Sequence, residues 1–150
     1  MVNMRGVCFF YDGNEGLYSY YDRCKCYYKN DKIEGKYIAY YENGNILTKC
    51  YYENGEREGE YILYYEDGEI SHKCYYINGI REGEYITYYK SGKIYIKCYY
   101  KNNKPEGEYI TYYESGKIRT KCYYKNGEEK VNIFNIIKMV LFGKSVIIKK

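Results

Sequence analysis

Along most of the chain, short runs rich in tyrosine and isoleucine are separated by clusters of glycine, asparagine and charge. Alternation of this kind between turn signals predicts strands. With Asp67-Gly68 read as a two-residue hairpin turn, Tyr65 pairs with Ile70, Leu63 with His72 and Tyr61 with Cys74. These six side chains share one mostly apolar face, because successive residues of a strand point to opposite sides. The other face carries Glu60, Ile62, Tyr64, Ser71, Lys73 and Tyr75, an amphipathic mixture. Asn43-Gly44, Ser91-Gly92 and Ser115-Gly116 are read as the same turn, so each is the tip of a hairpin. A longer loop, Asn54-Gly55 through Glu58-Gly59 and its equivalents, is expected to join one hairpin to the next. Its second glycine answers either a sterically excluded side chain or a positive φ.

The pattern is periodic. Cysteines at 26, 50, 74, 98 and 122 are each followed by two tyrosines, a repeat of 24 residues with four full copies over 26–121 and a truncated fifth. A shortened relative, Cys8 to Gly13 and Glu15 to Tyr21, precedes them, as a terminal capping repeat would. The expected fold is all-β: an elongated single-layer antiparallel sheet of tandem β-hairpins. Residues 1–25 form a degenerate N-terminal capping repeat, 26–127 the array, and 128–150 an apolar and basic cap or tail. The competing architecture is a parallel solenoid with one copy per coil, which stacks equivalent cysteines about 4.8 Å apart, where hairpins hold them about 9 to 10 Å apart.

Composition fits this picture. The chain has 27 tyrosines, no tryptophan, one proline and 15 glycines in 150 residues, and an aromatic content of 21% coexists with a mean hydropathy of −0.75. Tyrosine reconciles the two, since its ring shields backbone while its hydroxyl stays in water. The net charge of +4 singles out no partner. Charge is uneven, however: residues 50–73 hold seven acidic and two basic side chains, and 122–150 hold six basic and two acidic. That polarity suits head-to-tail association or docking on an anionic surface, or it is drift among solvated charges. The acidic copy in mid-array argues against nucleic acid.

Candidate chemistry is sparse. Neighbouring copies of a hairpin array place their cysteines beyond the roughly 7 Å that a disulfide needs, so packing in a reducing compartment is the preferred reading over a disulfide framework or a metal site. Cys24 and Cys26 are too close for the usual zinc spacing. His72 is the single histidine, and the same position in other copies holds Thr48, Ile96 or Thr120. Glu34, Glu58, Glu82 and Glu106 recur once per copy and are read as solvated or paired with Lys49, Lys73, Lys97 and Lys121. Catalytic groups are singular and clustered, so neither enzymatic activity nor a cofactor is expected. No signal peptide is recognised at the start, and Val131 to Ile148 is too interrupted to span a bilayer, which reads as an intracellular, cytoplasmic protein.

Tyr-Tyr-x-x-Gly followed by Asn-Gly-x-x-x-Gly-x-Tyr, seen over residues 40–61 and 64–85, resembles the MORN repeat superfamily. The likeness is to variant repeats with paired tyrosines, found in many bacterial and large-DNA-virus proteins, and extends over roughly residues 8 to 127. It implies an elongated sheet of stacked hairpins. It also implies an interaction module or scaffold, with phospholipid binding attached to some members and antitoxin-like roles to related bacterial ones.

The functional reading is a non-catalytic scaffold that presents a tyrosine-rich sheet to a protein partner or to a second copy of itself. The candidate surface is Tyr40, Tyr61, Tyr64, Tyr65, Tyr85, Tyr88, Tyr89, Tyr109, Tyr112 and Tyr113. An alternative places weak anionic membrane contact in the tail, through Phe134, Lys138, Leu141, Phe142, Lys144, Lys149 and Lys150. A short helix over Val131 to Phe142, with Asn132, Asn135 and Lys138 along one side, would serve either as that anchor or as a cap on the last strand.

Overall fold

The structure, a computed structural model, describes residues 8–12, 16–21 and 23–130. The tail residues from Phe134 to Lys150 named above, and the expected helix, lie outside these. Among the described residues there is one antiparallel sheet and no helix. Its strands are β1 (Cys8–Asp12), β2 (Gly16–Tyr21), β3 (Cys24–Lys29), β4 (Lys32–Tyr40), β5 (Ile46–Glu53), β6 (Glu56–Tyr64) and β7 (Ile70–Ile77). They continue as β8 (Ile80–Arg81), β9 (Gly83–Tyr88), β10 (Ile94–Lys101), β11 (Lys104–Tyr112), β12 (Ile118–Lys125) and β13 (Glu128–Lys130). Order in the sheet follows order in the chain, with β8 and β9 both laid on β7. The parallel solenoid is thereby excluded. Equivalent cysteines are two antiparallel strands apart, about 9.6 Å at ordinary sheet spacing, and none of Cys24, Cys26, Cys50, Cys74, Cys98 and Cys122 is in a disulfide. β1 and β2 extend the same pairing to the N-terminal side of the first full copy.

The expected register holds in the strand bodies, with Tyr61 opposite Cys74, Leu63 opposite His72 and Tyr85 opposite Cys98. It fails at the hairpin tip. Tyr64, not Tyr65, faces Ile70, after a bulge that leaves Ser71 unpaired. The amide of Tyr65 donates to Glu69 O (2.7 Å) and that of Gly68 to Tyr65 O (3.0 Å), leaving a three-residue loop. Only its glycine has positive φ, +95°, as in a turn followed by a glycine bulge. The two-residue turns are the ones read as longer loops. Asn54-Gly55 closes β5 on β6, with φ of +53° and +85°, and Asn30-Asp31, Asn78-Gly79, Asn102-Asn103 and Asn126-Gly127 do the same. Two left-handed residues match the twist of the flanking strands, and asparagine and glycine tolerate that conformation best.

Gly59 therefore lies inside a strand. Tyr51 pairs with Glu58 while Lys49 pairs with Ile62, so β6 spends two extra residues there. Gly35, Gly59 and Gly107 have φ of +78° to +80°, and a Cβ at each would meet nothing within 4 Å. Conformation, not steric exclusion, explains these glycines.

Candidate binding surface

One face of the sheet is its core. Among the described residues Cys26, Ala39, Thr48, Cys74, Tyr76 and Cys98 are buried, and all lie on this side. Thr48 satisfies its hydroxyl by donating to Ile62 O (2.9 Å). Aromatic rings pack around them: Tyr37 on Tyr52, Tyr61 on Tyr76, Tyr85 on Tyr100 and Tyr109 on Tyr124, with centroids 5.2 to 5.8 Å apart. Arg57 lies over Tyr61 and Arg81 over Tyr85 and Tyr100, at 5.2, 5.3 and 4.7 Å from the ring centres. His72 sits between Tyr61 and Tyr85. Burial, and then the Arg81 charge, hold its pKa below the ordinary value. Burial first, aided at Cys26 by Cys24, pushes the thiols of Cys26, Cys50 and Cys98 up to about 11. At neutral pH these are protonated packing groups, poor nucleophiles and poor metal ligands. Among the described residues no three His, Cys, Asp or Glu side chains gather as a metal site would require.

The two rims of the array are bonded copy to copy. On one rim, Tyr41, Tyr65 and Tyr89 donate their hydroxyls to the carbonyls of Tyr64, Tyr88 and Tyr112 in the next copy, each at 2.7 Å. On the other, Glu34, Glu58, Glu82 and Glu106 accept from the amides of Asn54, Asn78, Asn102 and Asn126 at 2.6 to 2.8 Å. The following turn amide donates to the backbone of the preceding hairpin, Gly55 to Ile33 O and Gly79 to Arg57 O. These glutamates were expected to be solvated or to pair with the repeating lysines. Their neighbours two residues on do so instead: Lys73 with Glu60 (3.7 Å), Lys97 with Glu84 (2.7 Å) and Lys121 with Glu108 (2.7 Å).

The ten tyrosines proposed from sequence are thus divided rather than gathered. Tyr61, Tyr85 and Tyr109 belong to the packed face. The hydroxyls of Tyr65 and Tyr89 fasten neighbouring copies. Tyr40, Tyr64, Tyr88 and Tyr112 end strands on the opposite face, where Lys49 lies over the Tyr64 ring at 5.5 Å. Tyr113 is exposed beside Arg119.

That candidate surface left out Tyr51, Tyr75, Tyr99 and Tyr123, although strand alternation already places Tyr75 on the outer face. Each follows a core cysteine and so must point away from it, and they are 46, 47, 49 and 50% exposed. Their cross-strand neighbours repeat as Lys36, Glu60, Glu84 and Glu108, which fixes them in one row. Between Tyr75 and Tyr99 opens a cleft of about 440 Å³, lined also by Ile77, Gly83 and Ile86 and by the charged Glu60, Lys73, Glu82 and Glu84. The signal was available in the strand alternation: the tyrosine next to each cysteine had no other face to occupy.

Such a row of stacked hairpins, cored on one side and studded with tyrosine on the other, defines a tandem-repeat sheet protein. The MORN repeat variant family matches residues 33–54, 57–78, 81–102 and 105–126, and the chain belongs to it. The family consists generally of non-catalytic modules for protein or membrane interaction. No curated protein matches the chain closely enough to count as a relative. No helix among the described residues is long and apolar enough to cross a membrane.

Proposed function

We propose that this chain is a non-catalytic protein-interaction module whose binding surface is the outer row formed by Tyr51, Tyr75, Tyr99 and Tyr123. The observation that carries this is their half-exposure at one fixed step in successive copies, whereas Tyr61 and Tyr85 pack on the core face and the hydroxyls of Tyr41, Tyr65 and Tyr89 are bonded to the next copy. Tyrosine offers contact area at a small cost in side-chain entropy, and the rigid sheet holds the row in place. Core cysteines that form no disulfide, with the thiols of Cys26, Cys50 and Cys98 pushed up to about 11, support an intracellular, reducing setting.

A photo-crosslinking amino acid at position 75 or 99 of the full chain, in its native cell, tests the surface. Adducts with a discrete protein are expected from those positions and not from position 65. Adducts from position 65 alone, or none from the row, would overturn the assignment. Weak contact with anionic membranes, if it belongs to the tail over residues 131–150, will survive loss of Tyr75 and Tyr99 in a vesicle flotation assay.

A further inference from the structure

Equivalent side chains in successive copies are separated by two strands, a step of about 9.6 Å. Main-chain bonding sets this step, and the repeated register applies it along the whole outer row. A ligand that presents the same group to every slot must therefore repeat near 9.6 Å, with those groups on one side.

Most peptide conformations fail this test. Two turns of α-helix advance about 10.8 Å, which drifts more than 3 Å out of step over three intervals. Three residues of extended strand advance about 10 Å, but every third side chain then points alternately to opposite faces. A polyproline II helix has three residues per turn and advances about 9.3 Å, always on the same edge. Its drift over three intervals is about 1 Å. It carries no internal hydrogen bonds, so its phase can follow the twist of the sheet.

Resting on the protein-interaction reading above, we propose that the outer tyrosine row is a docking track for a polyproline II segment of a partner protein, with prolines at every third position seated between successive tyrosines. The slot between Tyr75 and Tyr99 has the required chemistry. Two aromatic rings, Tyr75 and Tyr99, line it with the apolar Ile77 and Ile86, and Gly83 lines it without a side chain. A compact pyrrolidine ring fits such a slot, and the preformed helix loses little entropy on binding. The pairs Lys73–Glu60 and Lys97–Glu84 form a polar rim along the row. The excess of acid in residues 50–73, the copy that carries Tyr51, favours basic residues between the prolines at that end of the track.

The test uses the full-length chain and two labelled dodecapeptides of identical composition. One is (Pro-Ala-Lys)4; the other, (Pro-Lys-Pro-Ala-Lys-Ala)2, spaces its prolines by two and four. The first is expected to bind saturably and at least about tenfold more tightly, with Tyr75→Ala and Tyr99→Ala each weakening it about fivefold or more and Tyr65→Phe leaving it unchanged. If an alanine variant folds poorly, amide shifts of the wild-type chain decide, and they should cluster on the outer sides of β7, β9 and β10. Equal affinity for both peptides, no saturable binding, or shifts centred on the cysteine face would overturn the proposal. Crosslinks from positions 75 and 99 to a protein, alongside a negative peptide result, would remove this ligand class and leave the interaction surface standing. Altered sedimentation of the Tyr75 and Tyr99 variants with no peptide binding would assign the row to a second copy of the chain.

Discussion

The carboxylate of Glu82 shows how one residue type is used twice within three positions. Glu82 accepts from the Asn102 amide at 2.8 Å, whereas Glu84 pairs with Lys97 at 2.7 Å. The first bond satisfies a turn amide, and the second is a surface ion pair of small worth. Glu82→Ala should therefore cost about 1 kcal/mol and speed exchange of the Asn102 amide. Glu82→Gln keeps an acceptor and should cost less. His72 gives a separate expectation. Its pKa is lowered by burial and by Arg81, so between that folded value and about 6.5 the unfolded chain holds more protons. Its contribution to stability is then full above about pH 6.5 and is lost as pH falls through the window. His72→Thr, which installs the residue found at Thr48 and Thr120, should make the melting temperature fall less between pH 7.5 and pH 5 than it does in the wild type. A parallel fall in both proteins would refute the assignment.

Two elements, the Asn-Gly turn and the in-strand glycine, mark where reading the sequence succeeded and where it did not. The 24-residue period, antiparallel pairing and the facing of Tyr61 with Cys74 were legible because strand alternation and repetition are local signals. The two loops were exchanged because both contain an Asn-Gly or similar pair. Ser91 and Ser115 held the clue, since serine does not favour the left-handed conformation that a two-residue turn demands of both its residues. Asn30-Asp31 and Asn102-Asn103 satisfy that demand without glycine. The inter-copy bonds of Tyr65 and Glu58 were illegible because they join residues 20 or more positions apart whose meeting depends on the bulges. Gly59 offers a clean test of element geometry. Open space surrounds it and its φ is +79°, so Gly59→Ala should lose about 1 to 2 kcal/mol and Gly59→Asn less, as read by urea denaturation. A larger loss for Gly59→Asn than for Gly59→Ala would show that side-chain bulk, not conformation, is the constraint.

Across the whole molecule, every junction between copies uses the same bonds, so stability should depend on the number of junctions more than on which copies supply them. Removing residues 50–73 joins Lys49 to Cys74 and recreates the Lys-Cys step found at 73–74 and 97–98. That shortened chain should stay folded by circular dichroism, whereas removing 50–72 reverses the facing of the strand that follows and should abolish cooperative unfolding. Strand order that follows chain order also has a mechanical consequence. Tension applied at the two ends of the sheet pulls on its outermost strands and peels them away one at a time, loading a few main-chain bonds at once instead of shearing a whole ladder together. Each copy so released pays out 24 residues of slack, roughly 80 Å of extended chain. Under load the array should therefore lengthen in even, low-force steps, acting as an extensible tether that surrenders one hairpin at a time while the remainder stays intact.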